Sequence, residues 1–319
     1  MSFIKTLWRF GRPHTLVGTT VSVFCLFIGG LYSSMDGYKT GWSVIGANQL
    51  QWAMILFGFT WICCLLCNVF ITGLNQITDL EIDKINKPNL PLIDGSLKSV
   101  DAKKIVVLAL IGSLSIAFFL SSKLGVLIAL ISFLGWAYSS YPIRFKRFHI
   151  WAAMAISIVR GPLVNLGIAM FFVARFNNIH IDSVKSFYNT LIEPSVGVWL
   201  IPLTIFISLF SIGIAWFKDL PDTEGDAKFQ INTLTVKQGG KFALNLGGIL
   251  LIVAYCCMIF WGFVWSFSML LFHLFALIMF VYFWLSVELT NQKSIKRFYM
   301  SYWLLFFAEY IFFMGWFIL

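Results

Sequence analysis

The sequence predicts an all-α fold, a polytopic membrane bundle of about nine transmembrane helices with a cytoplasmic N-terminus. Three observations carry this. The chain of 319 residues is 59% apolar and only 12% charged, about half the charged fraction of an ordinary soluble domain. Its apolar residues fall into runs of about 20, the length that crosses a bilayer. Its basic residues segregate strongly between alternate connecting segments.

The runs place spans at about 15–34, 52–74, 104–121, 124–141, 149–173, 196–217, 242–262, 267–287 and 299–317. The third and fourth are short and joined by a tight turn at Ser121-Ser122-Lys123. Lys5, Arg9 and Arg12 precede the first run as they would in a signal peptide. No small-x-small cleavage site follows, so a retained first helix is expected. No Ser- and Arg-rich transit segment precedes it, which favours a bacterial or cyanobacterial source over a plastid precursor. With the N-terminus inside, the inside segments hold 18 Lys and Arg and the outside segments four: Lys39, Lys123, Arg175 and Lys185. Arg160 lies within a span. This positive-inside split supports an odd number of spans, with Leu319 outside. The net charge of +9 arises in these loops, so no nucleic-acid partner is expected. No linker or separate soluble domain is visible, and residues 1–319 read as one integral-membrane domain.

The second span ends in Asn75-Gln-Ile-Thr-Asp79-Leu-Glu-Ile-Asp83. Spacing of four predicts Asn75, Asp79 and Asp83 on one helical face. After the sixth span comes Lys218-Asp219-Leu-Pro-Asp222-Thr-Glu-Gly-Asp226, with spacings of three and four. Both rows fall on the predicted cytoplasmic side, and their displacement by four spans hints at an internal duplication. Carboxylates at the end of a membrane-length helix are costly unless neutralised. Mg²⁺ takes oxygen ligands, commonly one or two carboxylates plus substrate phosphates. The five acids therefore suggest two or three ions clamping a diphosphate, although single loop acids are often just solvated. Lys84, Lys87, Arg144, Lys146, Lys218 and Lys228 accompany them and could steady a leaving diphosphate. Taken singly, each also fits the positive-inside pattern.

Within the spans, Arg160 stands out in Arg160-Gly-Pro162-Leu-Val-Asn165. An intramembrane arginine marks a cavity or a structural pair, for which Glu309 in the last span is available. Arg12 and His14 sit at the mouth of the first span. With Arg160 and Asn165 they could hold a polar, carboxylate-bearing acceptor, or Arg12 could be an interfacial anchor. Tyr138 and Tyr141 close the fourth span, either as interfacial rings or as π faces shielding a carbocation. The six cysteines lie in apolar runs and read as small buried hydrophobes, with no disulfide framework. The aromatic content of 18% suits a greasy ligand, but lipid-facing helices account for it equally well.

Asn75-x-x-x-Asp79-x-x-x-Asp83 and Asp219-x-x-Asp222-x-x-x-Asp226 resemble the two signatures of the UbiA-type membrane prenyltransferase superfamily. Trp8 to Gly18, Gly73 to Leu92, Arg160 to Gly167 and Phe217 to Asp226 resemble its homogentisate prenyltransferase branch, the tocopherol and plastoquinone enzymes. The similarity runs from Trp8 to the last span. It implies a nine-helix bundle with a central cavity open to the bilayer and capped by the two cytoplasmic loops. It implies Mg²⁺ at Asp79, Asp83, Asp219, Asp222 and Asp226, with Asn75 beside the bound prenyl diphosphate. Lys87-Pro88-Asn89-Leu90-Pro91 replaces the Arg-rich continuation of many relatives, as in the homogentisate branch. Tyr141-Pro142 stands where many carry two prolines.

The resulting expectation is an enzyme of a bacterial inner membrane or a cyanobacterial or plastid membrane. Asp79, Asp83, Asp219 and Asp226 hold Mg²⁺ on the donor diphosphate, and Lys84, Arg144 and Lys218 steady it as it leaves. Tyr138 shields the allylic cation, which an electron-rich hydroquinone ring attacks. For homogentisate, family behaviour implies loss of CO₂. Phytyl is the favoured donor, with geranylgeranyl and solanesyl open. The rivals are a related enzyme acting on 4-hydroxybenzoate, chlorophyllide or a phenolic natural product, and a cation-coupled transporter.

Overall fold

The computed structural model describes residues 3–34 and 47–318, so the expectations for Lys39 and Leu319 lie outside the described residues. Among the described residues, nine helical segments are long and apolar enough to cross a membrane. In chain order the helices are α1 (Phe3–Phe10), α2 (Pro13–Ser34), α3 (Ala47–Thr78), α4 (Leu80–Asn86), α5 (Ser99–Leu120), α6 (Ser122–Ser139), α7 (His149–Ile158) and α8 (Gly167–Asn177). There follow α9 (Val184–Ile192), α10 (Pro194–Phe217), α11 (Thr223–Lys228), α12 (Leu234–Gln238), α13 (Gly240–Trp265), α14 (Phe267–Leu285) and α15 (Gln292–Ile318).

Most predicted spans are found with edges moved outward by a few residues. Polar first turns, such as Ser99 to Lys103 of α5, extend the helix beyond the apolar run that a bilayer requires. Pro13 and Pro194 open α2 and α10, where the missing N–H is no loss. The third and fourth spans meet at Ser121, whose hydroxyl accepts from the Lys123 amide. The fifth span runs from His149 to Asn177 but is not uniformly α-helical. Val159 to Leu166 form a π-helical segment containing Pro162, the type of irregularity that gathers at functional sites.

Helices α2 and α10 form the centre, with 72% and 67% of their spanning windows buried, whereas α5 and α14 are 22% buried and lie outside. Large aromatic side chains fill the interior, among them Trp199, Phe206, Phe210, Tyr302 and Phe313. At one end of the bundle the connections clasp each other. Gln76 donates to the Phe10 carbonyl, fixing α1 on α3. Arg9 donates to the Asn89 carbonyl and to Asp94. A parallel bridge, Phe148 with Asn232, joins the segment before α7 to the one before α12. This end carries both acidic stretches.

Candidate active site

Each acidic stretch is a helix end followed by a short helix. The first is not one unbroken helix. α3 stops at Thr78, and Asp79 takes φ −108° and ψ 18° before α4 begins. The i to i−4 bonds nevertheless continue through the break, Asp79 N to Asn75 O and Asp83 N to Asp79 O, so the predicted row survives. In the second, α10 ends at Phe217, a turn covers 218–222, and α11 carries Asp226. Here the expected single helical face is replaced by turn plus short helix, because Pro221 cannot continue a helical ladder. α4 packs on α11 through Asn86, which accepts from the Gly225 amide at 3.0 Å and donates to Asp226 at 3.4 Å. A Cβ on Gly225 would collide with Asn86 Oδ1, so this approach needs glycine.

The two stretches meet at the mouth of a cavity of about 290 Å³, lined there by Asp79, Asp219, Asp222 and Asp226. Cations are interleaved with them. Asp79 Oδ1 pairs with Lys146 at 2.6 Å and Arg144 at 3.3 Å, and Asp79 Oδ2 accepts from Asn75 at 3.0 Å. Asn75 accepts in turn from Arg12 at 3.1 Å. Lys87 links the stretches, bonding Asp222 on one and lying 3.6 Å from Asp83 on the other. Lys218 pairs with Asp219 at 2.7 Å. Arg12 and Arg144 both adopt left-handed backbones, with φ of 56° and 46°. Such residues cost about 1–3 kcal/mol each and gather where function constrains the chain.

Burial governs the electrostatics. It pushes the Asp226 carboxyl up to about 7, with Asp219 adding to the effect. It raises Asp83 and Asp219 against the opposing pull of Lys87 and Lys218 respectively. It lowers Lys146 to about 8, with Asp79 opposing. For Lys218 burial pulls downward, yet Asp219 holds the ammonium well above its usual range. Buried acids reluctant to ionise gain from a cation. Asp83 Oδ2 is buried without a hydrogen-bond partner, and the donor set is all oxygen, as Mg²⁺ prefers. Among the described residues no three ligating side chains form a ready metal cage. The acids thus suit an ion that draws its other ligands from substrate phosphates.

Beyond the mouth the cavity has two unlike walls. One is polar: Thr15, Thr19, Asn68 and Asn75 line it, and Asn68 donates to Thr19 at 2.7 Å. The other is aromatic: Tyr299, Trp303, Phe306 and Tyr310 of α15, with Arg160 upon them. The Arg160 guanidinium lies 4.9 Å from the Trp303 ring centroid and 5.7 Å from that of Phe306. Among the described residues it has no carboxylate within ion-pair distance. Glu309, which the sequence offers as its partner, is instead 3.0 Å from His273, both fully buried. His14 meets Trp303 edge-on at 4.9 Å. Tyr138 lines the cavity with Lys218 5.9 Å from its ring centroid.

The structure thus brings Arg12, His14, Asn75, Asp79, Tyr138, Lys146, Arg160, Lys218, Asp219, Asp222 and Asp226 to one cavity. Asp83 and Asn165 lie just behind its wall. Asn165 donates to the Arg160 carbonyl at 3.1 Å and accepts from Tyr310 at 3.0 Å, so it braces the π segment that presents Arg160. Arg144 reaches Asp79 from the rim. Tyr141, preceding a cis proline, is exposed and accepts from Arg144 at 2.8 Å. Lys84 stands away, exposed and bonded to Glu81 at 2.7 Å. Its place at the mouth is taken by Lys87, one helical turn later. Asn86, Trp303 and the Thr15–Asn68 pair carry no signal in the sequence, because uncharged residues in helical runs show no pattern of their own. The two acidic rows lie at span ends, not midway, unlike the acids expected of an ion-coupled transporter.

Residues 38–305 match the UbiA prenyltransferase family profile. The chain is 38% identical over 317 residues to a protein of Synechocystis sp. named homogentisate phytyltransferase, covering 98% of this chain and 95% of that one. It is 33% identical to an Arabidopsis thaliana chloroplast protein named homogentisate solanesyltransferase, covering 98% and 76%. A UbiA homologue of Archaeoglobus fulgidus, solved with DMAPP and Mg²⁺, shares the fold with a TM-score of 0.57 at 13% identity, covering 96% of this chain and 99% of that one.

Proposed function

The chain belongs to the UbiA prenyltransferase family, a membrane prenyltransferase, and on that premise we propose that it transfers a phytyl group from its diphosphate to homogentisate. The observation that carries this is the shape of one cavity. A diphosphate-type mouth of interleaved Asp and Lys stands at one end, and an arginine with no carboxylate partner among the described residues sits on the aromatic wall below it. The names of the relatives support the acceptor.

Asp79, Asp83, Asp219, Asp222 and Asp226 would hold Mg²⁺, which supplies neutralisation of the diphosphate oxygens. Lys87, Lys146 and Lys218 hold positive charge where the leaving group gains negative charge, and Arg144 steadies Asp79. Tyr138 and the aromatic wall present π faces to the allylic carbon as its C–O bond breaks. Arg160 takes the acceptor carboxylate, with Arg12 and His14 lining the same cavity, and orients the ring beside that carbon. The ring carbon forms the new C–C bond and loses its proton. The carboxylate leaves as CO₂, and the carbon it leaves takes up a proton. The aromatic wall keeps water from the cation. By the distribution of basic residues, the mouth faces the cytoplasm.

A donor-by-acceptor matrix tests this, with and without Mg²⁺, with products identified by mass. Phytyl diphosphate with homogentisate is expected to give the largest Mg²⁺-dependent yield. Preference for 4-hydroxybenzoate, chlorophyllide or another phenol would refute the acceptor assignment.

A further inference from the structure

Alkylating an aromatic ring carbon releases a proton, and a base must stand ready for it. The cavity holds many charges but few bases. Arginine and lysine offer no lone pair, and tyrosine and cysteine keep their own proton in their ordinary form near pH 7. Asp79, Asp219 and Asp222 are each paired with a cation. Asp226 stands at the mouth, where the diphosphate and its metal ions would lie.

The chain has four histidines, and His14 is the one that lines the cavity. His273 spends both ring nitrogens, on the Met269 carbonyl and on Glu309. His149 buries Nδ1 without a partner, and His180 is exposed. His14 differs from all three. Among the described residues neither of its nitrogens has a hydrogen-bond partner, and neither is sealed off by packing. A neutral imidazole carries one free lone pair and is the side chain most often used as a general base. An alkylated ring carbon that still holds its hydrogen is a strong acid, so a weak base suffices.

Its position fits the task. Arg12, two residues earlier, donates to Asn75, which donates to Asp79, so His14 sits just inside the mouth. The Trp303 ring lies 4.9 Å from the His14 ring and 4.9 Å from the Arg160 guanidinium. His14 and Arg160 thus flank one indole. An acceptor with its carboxylate on Arg160 lays its ring along Trp303, toward His14. The allylic carbon, bonded to the diphosphate at the mouth, comes to the same place.

Resting on the acceptor reading above, we propose that His14 is the general base of the reaction. As the donor C–O bond breaks, its electron pair leaves with the diphosphate. A ring carbon forms the new C–C bond and still carries its hydrogen. His14 takes that hydrogen as a proton, and the C–H electron pair restores the aromatic ring. The imidazolium returns its proton to water through the mouth as product leaves.

The full-length protein in detergent is assayed with Mg²⁺, phytyl diphosphate and homogentisate, and products are identified by mass. His14→Ala is expected to lose about 10²–10⁴-fold in turnover. Thermal protection by phytyl diphosphate with Mg²⁺ should be unchanged, since the mouth stays intact. Imidazole added to the buffer is expected to raise His14→Ala turnover by about tenfold or more and to leave wild type unmoved. His14→Asn keeps a hydrogen-bonding side chain but cannot take the proton, so it should be as slow as His14→Ala. It also reads the assignment where the alanine variant fails to fold. His14→Asn within about twofold of wild type, or no response of folded His14→Ala to imidazole, overturns the proposal and leaves the departing diphosphate as the base. If wild type does not prenylate homogentisate, the acceptor reading falls by itself. The same variants are then measured on whichever phenol is used, because every such ring sheds a proton.

Discussion

The two acidic turns at the mouth are built from similar residues but are not equivalent. At the first, Asp79 is saturated: Lys146, Arg144 and Asn75 occupy both its oxygens. At the second, Asp226 has no cation within ion-pair distance among the described residues, only Asn86 at 3.4 Å. The difference follows from the chain. Asp79 continues a helix-like ladder beside the basic segment 144–147, whereas Asp226 sits on a short helix facing α4. Asp226 is thus a readier carboxylate for a metal ion than Asp79, beside which Lys146 and Arg144 offer positive charge for a phosphate oxygen.

The largest test of this asymmetry removes one carboxylate from each side. Asp226→Ala is expected to lower turnover by about 10²–10³-fold, the size of losing a preorganised electrostatic group at a developing charge. Asp79→Ala joined to it should abolish turnover in protein that stays monodisperse. Full activity of the double variant, assayed with purified donor and acceptor, would remove the metal assignment.

The next test uses pH. Unfolded aspartate titrates near about 3.9, while burial holds Asp226 at about 7. In metal-free protein the folded state therefore binds the extra proton, and this site lowers stability as pH rises from about 4 to 7. Mg²⁺ requires the ionised form, so its affinity falls as pH drops below about 7. The thermal shift produced by Mg²⁺ is expected to grow from pH 5.5 to pH 8. A shift that shrinks over that range would transfer the role to another acid.

A smaller effect is expected where the turns touch. Gly225→Ala forces a methyl into Asn86 and should destabilise by about 1–3 kcal/mol, as overpacking does, with weaker Mg²⁺ protection. Unchanged melting with unchanged protection would show that the turns need not pack closely. The smallest effect concerns the ion pair of Arg9 with Asp94, outside the cavity. Asp94, held down at about 2 by Ser96 and Arg9, adds stability above the unfolded value that is lost as pH falls toward 2. At a partly exposed site this is worth less than about 1 kcal/mol. Asp94→Asn is expected to leave turnover unchanged, and a large loss would extend the active assembly to α1.

Legibility differs sharply among the site residues. The acids are readable because charges at period four, directly after an uncharged run of membrane length, are costly unless something neutralises them. Arg160 is readable because an arginine inside a span carries the same cost. Lys84 and Lys87 cannot be ranked from sequence, since both fit a helix end and only the approach of α11 selects Lys87. Asn165 is readable as polar but not as a brace, because its partners, the Arg160 carbonyl and Tyr310, depend on the π segment and on α15. Trp303 is indistinguishable in sequence from the lipid-facing aromatics around it.

By itself the sequence determined the membrane-bundle class and the series of apolar spans, and its motifs carried the resemblance to the prenyltransferase family. Apolar length and charge placement act locally, through the bilayer's thickness and the cost of burying charge. Only the tertiary structure decided which cation meets which acid and where Arg160 points. Those depend on contacts between helices far apart in the chain, such as Asn86 with Gly225 and His14 with Trp303, which no local pattern encodes.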